Sequence, residues 1–218
     1  TLGRVESTEK NTSRFRFRVD PLQYPLVDAS SSGKQPLLWP WLGYAQAILG
    51  WDPQQNRPGG PAKAIDIYQL NARPDSFQVV GEGVADVHVS SSDMTNGAAF
   101  DAIKAGQTLL VRHAVYTSWV LLMNNCSNVA IKDVTLFASP GMGFVAQRSR
   151  DITLTHYRVA RHEGRPLSTC ADAAHFEACG GHIDITRSLF EGQGDDGVNV
   201  RCSRNVGTTL SCLCSTAS

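Results

Sequence analysis

Four segments of this sequence fall into one frame at steps of 23 or 31 residues. Segment 125–131 (NCSNVAI) becomes 148–154 (RSRDITL) after 23 positions, 179–185 (CGGHIDI) after 31 more, and 202–206 (CSRNV) after another 23. Their apolar positions coincide: Val129, Ile152, Ile183 and Val206, then Ile131, Leu154 and Ile185. A second strand repeats in the same frame, with Phe144 falling 23 after Leu121, His175 falling 31 after Phe144, and Val198 falling 23 after His175. The longer step reads as one 23-residue coil plus an eight-residue insertion, most simply placed in the loop 163–169. Short inward apolar pairs repeated near this period, with glycines at the corners, predict a right-handed parallel β-helix, in which each coil buries its apolar face on its neighbours. A leucine-rich repeat has a similar period but needs an L-x-x-L-x-L pattern with an Asn, and that pattern is missing here.

The rest of the chain carries weaker signals. The stretch 14–19 (RFRFRV) alternates polar and apolar and predicts a half-exposed strand. Residues 1–75 otherwise read as irregular, with Pro-, Gly- and Trp-rich ordered loops over 36–41 and 52–61. No long 3.6-residue periodicity appears, so the expected class is mostly β. The expected organisation is an N-terminal β or irregular segment with first coils over 1–105, site-bearing coils over 106–206, and a disordered or aberrant tail over 207–218. A solenoid needs a cap or more coils over its last apolar face, and the tail supplies neither, so the sequence reads as a C-terminally truncated form of a longer protein with a frayed end.

A chain of 218 residues, 42% of them hydrophobic, buries enough surface for one or two domains. Twenty basic residues balance twenty acidic ones, so no nucleic acid or anionic membrane partner is expected. No apolar run nears the roughly 18–20 residues of a membrane span. Six cysteines are few for a disulfide scaffold of this size, and the CxC of Cys212 and Cys214 lacks a second pair at zinc-ligand spacing. Cysteine usage leaves the compartment open. Cys179 and Cys202 occupy equivalent positions one coil apart, either within disulfide reach or as a stacked pair of thiols.

The chemistry concentrates in 191–200 (EGQGDDGVNV), a turn leading into a strand. Glycines 192, 194 and 197 suit positive φ there and leave Asp195 and Asp196 uncrowded. Asp172 precedes Asp195 by 23 residues, one coil, and so is expected about 4.8 Å down the stack. Three acids on one face repel, which favours a protonated one beside an ionised one, the combination that glycoside hydrolysis uses. The bland reading is a calcium-binding or solvated corner. His175 is either a satisfied core histidine or a hydrogen-bond partner of the aspartates. Arg165 either binds a sugar hydroxyl or is a solvent-exposed loop arginine. Tyr116 and Trp119 either stack on a sugar or pack, and Asn199 ladders with neighbouring coils or meets substrate.

The stretches 165–176 (RPLSTCADAAHF), 181–185 (GHIDI) and 189–200 (LFEGQGDDGVNV), with 140–147 (PGMGFVAQ) and 50–53 (GWDP), resemble glycoside hydrolase family 110 over about 50–200. The resemblance implies an exo-acting, inverting α-1,3-galactosidase that removes terminal α-galactose from branched blood-group B-like or linear glycans. It implies that Asp172, Asp195 and Asp196 are the acid and base carboxylates. Arg165, His175, Glu191 and Asn199 are the candidate substrate-binding residues. Further coils and a small barrel-like region would follow beyond this chain. No cofactor and no metal enter the expectation, the partner is the carbohydrate substrate, and the setting is secreted or periplasmic although this chain carries no signal peptide. Polygalacturonase-like pectinases share GDDG (194–197) but add Gly-His-Gly and Arg-x-Lys downstream, and neither follows Asp196. A non-catalytic glycan-binding β-helix is the alternative outside enzymes.

Overall fold

The computed structural model describes residues 1–26, 45–59, 65–68, 77–89, 94–113 and 118–201. The expectations for the loop 36–41, Tyr116, Cys202, Val206, Cys212, Cys214 and the tail 207–218 lie outside the described residues. The chain divides into two compact units, Thr1–Ala114 and Val115–Ser218. It is mostly β, antiparallel in the first unit and parallel in the second.

The first unit forms one antiparallel sheet where the sequence reads as irregular. Its strands are β1 (Leu2–Glu9), β2 (Arg14–Val19), β3 (Ala45–Asp52), β4 (Arg57–Pro58), β5 (Asp66–Tyr68), β6 (Phe77–Gly81), β7 (Val84–His88) and β8 (Thr108–His113). They run in the order β4-β3-β8-β1-β2-β7-β6, with β5 on β3, and a helix α1 (Met94–Asp101) precedes β8. The alternation in β2 does what its period requires: Phe15, Phe17 and Val19 are buried. Arg16 faces outward and grips Asp86, its cross-strand partner on β7, through two bonds of 2.7 and 2.9 Å. The expected loop at 52–61 is a tight reversal. Asp52 Oδ1 accepts the amides of Gln54 and Gln55 at 2.9 and 3.1 Å, and the chain re-enters the sheet as β4; residues 60 and 61 lie outside the described residues.

The second unit contains three parallel layers that the chain visits in turn. One circuit is β9 (Trp119–Asn124), β10 (Ser127–Lys132) and β11 (Thr135–Leu136); the next is β12 (Met142–Gln147), β13 (Arg150–Thr155) and β14 (Arg158–Val159). A third is β15 (Ala174–Glu177), β16 (Gly180–Thr186) and β17 (Leu189–Phe190), followed by β18 (Val198–Arg201). The layers are β9-β12-β15-β18, β10-β13-β16 and β11-β14-β17. Phe144, Ala146, Ile152, Leu154, Tyr157, Val159, Ala174, Phe176 and Ile183 make the core between them. Burying each large apolar side chain stabilises the stack by roughly 1.5–3 kcal/mol.

The repeat frame holds in two layers and slips in the third. Val129, Ile152 and Ile183 stand in register, as do Ile131, Leu154 and Ile185. In the layer of β15, however, Val145 pairs with His175 and His175 with Asn199, steps of 30 and 24 residues. The expected alignment of His175 with Phe144 and Val198 is therefore corrected by one residue. Seven of the eight extra residues fall between β14 and β15. The eighth is a bulge in β16, where Arg150 and Ile152 stand opposite Gly180 and Ile183. Gly181 sits in that bulge at φ +69, and a Cβ on it would be driven into the Asp151 carboxylate. A one-residue slip turns a side chain to the other face of a strand. Ala174 and Phe176 therefore enter the core, and His175 faces away from it.

Glycines are not what turns most corners. Asn125, Arg148 and Ala178 occupy one corner at φ between 48 and 56, and Asp133, His156 and Arg187 another at φ between 51 and 57. Non-glycine residues hold these left-handed conformations where the corner amide is bonded to the next circuit, as Asn125 N–H is to the Gln147 carbonyl and Arg148 N–H to that of Glu177, both at 2.9 Å.

Candidate active site

Asp172 lies two residues before β15, and Asp195 and Asp196 lie just before β18, in connections that the backbone laces together. Ser168 N–H donates to the Gly192 carbonyl at 2.8 Å and Gly194 N–H to that of Thr169 at 2.9 Å. Ala173 N–H donates to the Asp196 carbonyl at 2.9 Å and Ala174 N–H to that of Gly197 at 3.1 Å. On the other side, Gly143 N–H donates to the carbonyl of Asp172 itself at 2.9 Å. Irregular connections of two circuits are thus fixed as firmly as strands, which is what a site built on turns needs. Of the three glycines expected to open the turn, only Gly192 takes positive φ, at +74, and Arg161 lies over it where a Cβ would stand.

The three carboxyl groups converge: one oxygen of each lies within 4.8 Å of the others. Their exposures differ, with Asp172 buried at 2%, Asp195 half-buried and Asp196 exposed. The strand register of 24, continued back two residues, sets Asp172 level with Asp196 rather than with Asp195. The Asp196 N–H donates to Asp172 Oδ1 at 3.3 Å. The other oxygen, Oδ2, is hydrogen-bonded to His175 Nδ1 at 2.6 Å. Burial pushes the Asp172 carboxyl above the ordinary carboxylate range; the hydrogen bond to His175 pulls it back, and the nearby Asp195 charge adds to the rise. One circuit on, Asn199 Nδ2 donates to Asp196 Oδ2 at 3.0 Å.

The other residues singled out from sequence fall elsewhere. Glu191 pairs with Arg161 at 2.8 Å, on the surface next to the turn. Arg165 is exposed in the long connection before β15. Trp119 opens β9, 43% exposed and in register with Met142. Cys179 is buried, its thiol donating to the Ala146 carbonyl at 3.4 Å. Two residues were not anticipated. Arg161 clamps the turn through Glu191, and Ser168 Oγ donates to the Glu191 carbonyl at 2.6 Å. Ser168 stands 23 residues before Glu191, so the repeat spacing was the signal for it.

The converging oxygens have the chemistry of a hard-cation ligand set, which takes carboxylates at 2.3–2.6 Å. A cation there would compete with His175 and the Asp196 amide for the oxygens of Asp172. Among the described residues, no helix is long and apolar enough to cross a membrane.

No family model matches this chain. Curated relatives do. An alpha-1,3-galactosidase B of Phocaeicola vulgatus is 32% identical over 101 residues, 45% of this chain and 17% of that protein. An alpha-1,3-galactosidase A of Shewanella woodyi is 33% identical over 99 residues, 44% of this chain and 16% of that protein. An alpha-1,3-galactosidase A of Bacteroides fragilis is 33% identical over 112 residues, 50% of this chain and 18% of that protein. The chain thus spans less than a fifth of the length of these relatives.

Proposed function

We propose that this chain carries the catalytic centre of an exo-acting, inverting α-1,3-galactosidase of glycoside hydrolase family 110, on a right-handed parallel β-helix. The observation that carries the reading is a set of three converging carboxyl groups with unlike surroundings. Burial favours the neutral form of Asp172, as a general acid toward the glycosidic oxygen requires. Asp196 is exposed and accepts the Asn199 amide, a setting open to the water from which a general base takes a proton. Asp195 shares that turn and adds negative charge beside a developing oxocarbenium ion. Support for the substrate comes from similarity to proteins named alpha-1,3-galactosidases. The substrate class is glycans ending in α-galactose, branched blood-group B-like or linear, in a secreted or periplasmic setting. Arg165 and Glu191 are the proposed contacts for sugar hydroxyls.

The carboxyl oxygens approach to within 4.8 Å, closer than the roughly 6.5–9.5 Å of an inverting pair. The stereochemical outcome is therefore a direct test of the inverting part of the reading. The second reading is a non-catalytic glycan-binding site that holds calcium, favoured by the same convergence. Galactose release from an α-1,3-linked galactobiose, with and without chelator, tests both. The expected result is release that chelation does not change. No release by correctly folded protein overturns the enzyme reading, and binding abolished by chelation supports the second.

A further inference from the structure

The two circuits of the site build one arrangement twice. Asp172 is bonded to the side chain three residues on, His175, at 2.6 Å, and Asp196 to the side chain three residues on, Asn199, at 3.0 Å. His175 and Asn199 are direct partners in the β15–β18 ladder, so the aspartates are displaced by the same 24 residues as their holders. The spacing has a mechanical cause. Each carboxylate sits on the last residues of a connection, the strand opens with an inward residue (Ala174 or Val198), and the next residue is the first to face outward and reach back.

We propose that His175 and Asn199 are positioning residues, one for each side of the reaction: His175 aims the Asp172 carboxyl and Asn199 aims that of Asp196. The assignment rests on the hydrolase reading above and replaces the sequence expectation that both contact substrate. Register removes the core-histidine alternative, because His175 faces away from Phe144 and Phe176. The Nδ1 that would be one of its two contacts to a sugar is already committed at 2.6 Å, with the side chain 9% exposed.

The two holders differ in the way the two tasks differ. An amide never takes up a proton, so Asn199 holds Asp196 by donation alone. An imidazole nitrogen donates or accepts according to its tautomer, so His175 Nδ1 can hold Asp172 in either of its states. Asp172 must hold a proton, lose it to the leaving oxygen and recover it. The charged groups facing Asp172 are His175, Asp195 and Asp196. His175 and the Asp196 backbone amide lower the cost of an ionised Asp172 by hydrogen bonding, whereas the Asp195 charge raises it.

Two measurements on the 218-residue chain separate this role from others: steady-state kinetics on an α-1,3-linked galactobiose, and NMR titration of 13C-labelled aspartate carboxyls. For His175→Ala we expect kcat to fall by about 10–100-fold with KM changed less than about twofold, as for loss of aim rather than of binding. The Asp172 titration should move to higher pH. His175→Asn, which installs the donor already used one circuit on, should recover most of kcat. For Asn199→Ala we expect the same pattern, a fall in kcat with KM changed little. A rise in KM at constant kcat, with the Asp172 titration unmoved in His175→Ala, overturns the proposal and makes these residues substrate contacts. If the unsubstituted chain releases no galactose, the hydrolase reading fails, while the Asp172 titration still shows whether His175 governs its aspartate.

Discussion

His175 Nδ1 lies 2.6 Å from Asp172 Oδ2, and the backbone amide of Asp196, one circuit on, lies 3.3 Å from the other oxygen of the same carboxyl. Both lone-pair sides of a buried acid are thereby fixed, so its orientation is set before any substrate arrives. That preorganisation is the basis of the outcomes expected below.

Asp172→Asn keeps the shape of the side chain and removes its proton. We expect kcat to fall by about 10²–10⁴-fold, the usual contribution of a general acid. The loss should shrink with a 4-nitrophenyl α-galactoside, whose leaving group departs with little protonation. Comparing kcat/KM for that substrate and for the galactobiose measures it; equal losses on both would assign Asp172 another role.

The anomer released first tests the inverting part of the reading. Inversion of an α-galactoside delivers β-galactose, visible by proton NMR in the first minutes before mutarotation. Release of α-galactose would mean that the close approach of the carboxyl groups persists in the complex and that a covalent intermediate forms.

Stability should depend on pH through Asp172. Its folded-state value lies above the ordinary 3.8, so between the two values the folded chain binds more protons than the unfolded one. The contribution is complete below the ordinary value and is lost as pH rises through the raised one. Urea midpoints should therefore decline with pH over that window more steeply for the natural chain than for Asp172→Asn. Parallel curves would show that the carboxyl is not desolvated.

Gly181→Ala should destabilise the second unit by about 1–3 kcal/mol, because alanine resists φ +69 and its methyl would displace the Asp151 carboxylate. That carboxylate accepts the His182 amide at 3.2 Å, so the bulge loses its anchor as well. Denaturant unfolding measures the change. An unaltered midpoint would mean that the bulge relocates.

Tyr157 places its hydroxyl in the core with no hydrogen-bond partner among the described residues, and burial pushes its ionisation far above the usual phenol range. Tyr157→Phe removes an unsatisfied polar group without changing the ring contacts to Phe144 and Phe190. We expect unchanged or greater stability, by about 1 kcal/mol, read from the thermal midpoint. A lower midpoint would show that the hydroxyl has a partner such as buried water.

Much of the second unit was legible in the residues. The 23-residue frame places Val129, Ile152 and Ile183 in one column and Ile131, Leu154 and Ile185 in the next, and the ladders hold those pairs. The alternation of 14–19 gave β2. The remaining strands of the first unit were not legible, because an antiparallel sheet pairs segments as distant as Gly3 and Leu109, which no local period records. In the site, the spacing of Asp172 from Asp195 and Asp196 was enough to bring the three acids onto adjacent circuits.

By itself, then, the sequence determined the period, the inward columns and the identity of the three acids, since in a strand residue number alone decides which face a side chain takes. Only the tertiary structure decided that His175 turns outward to Asp172. The extra residue at Gly181 falls after β15, so that layer stands one residue off the frame of the other two, and the place of the extra residue shows only in the ladder. Burial of Asp172 beside an exposed Asp196 was likewise decided there, because desolvation depends on what packs around a group and not on its neighbours along the chain.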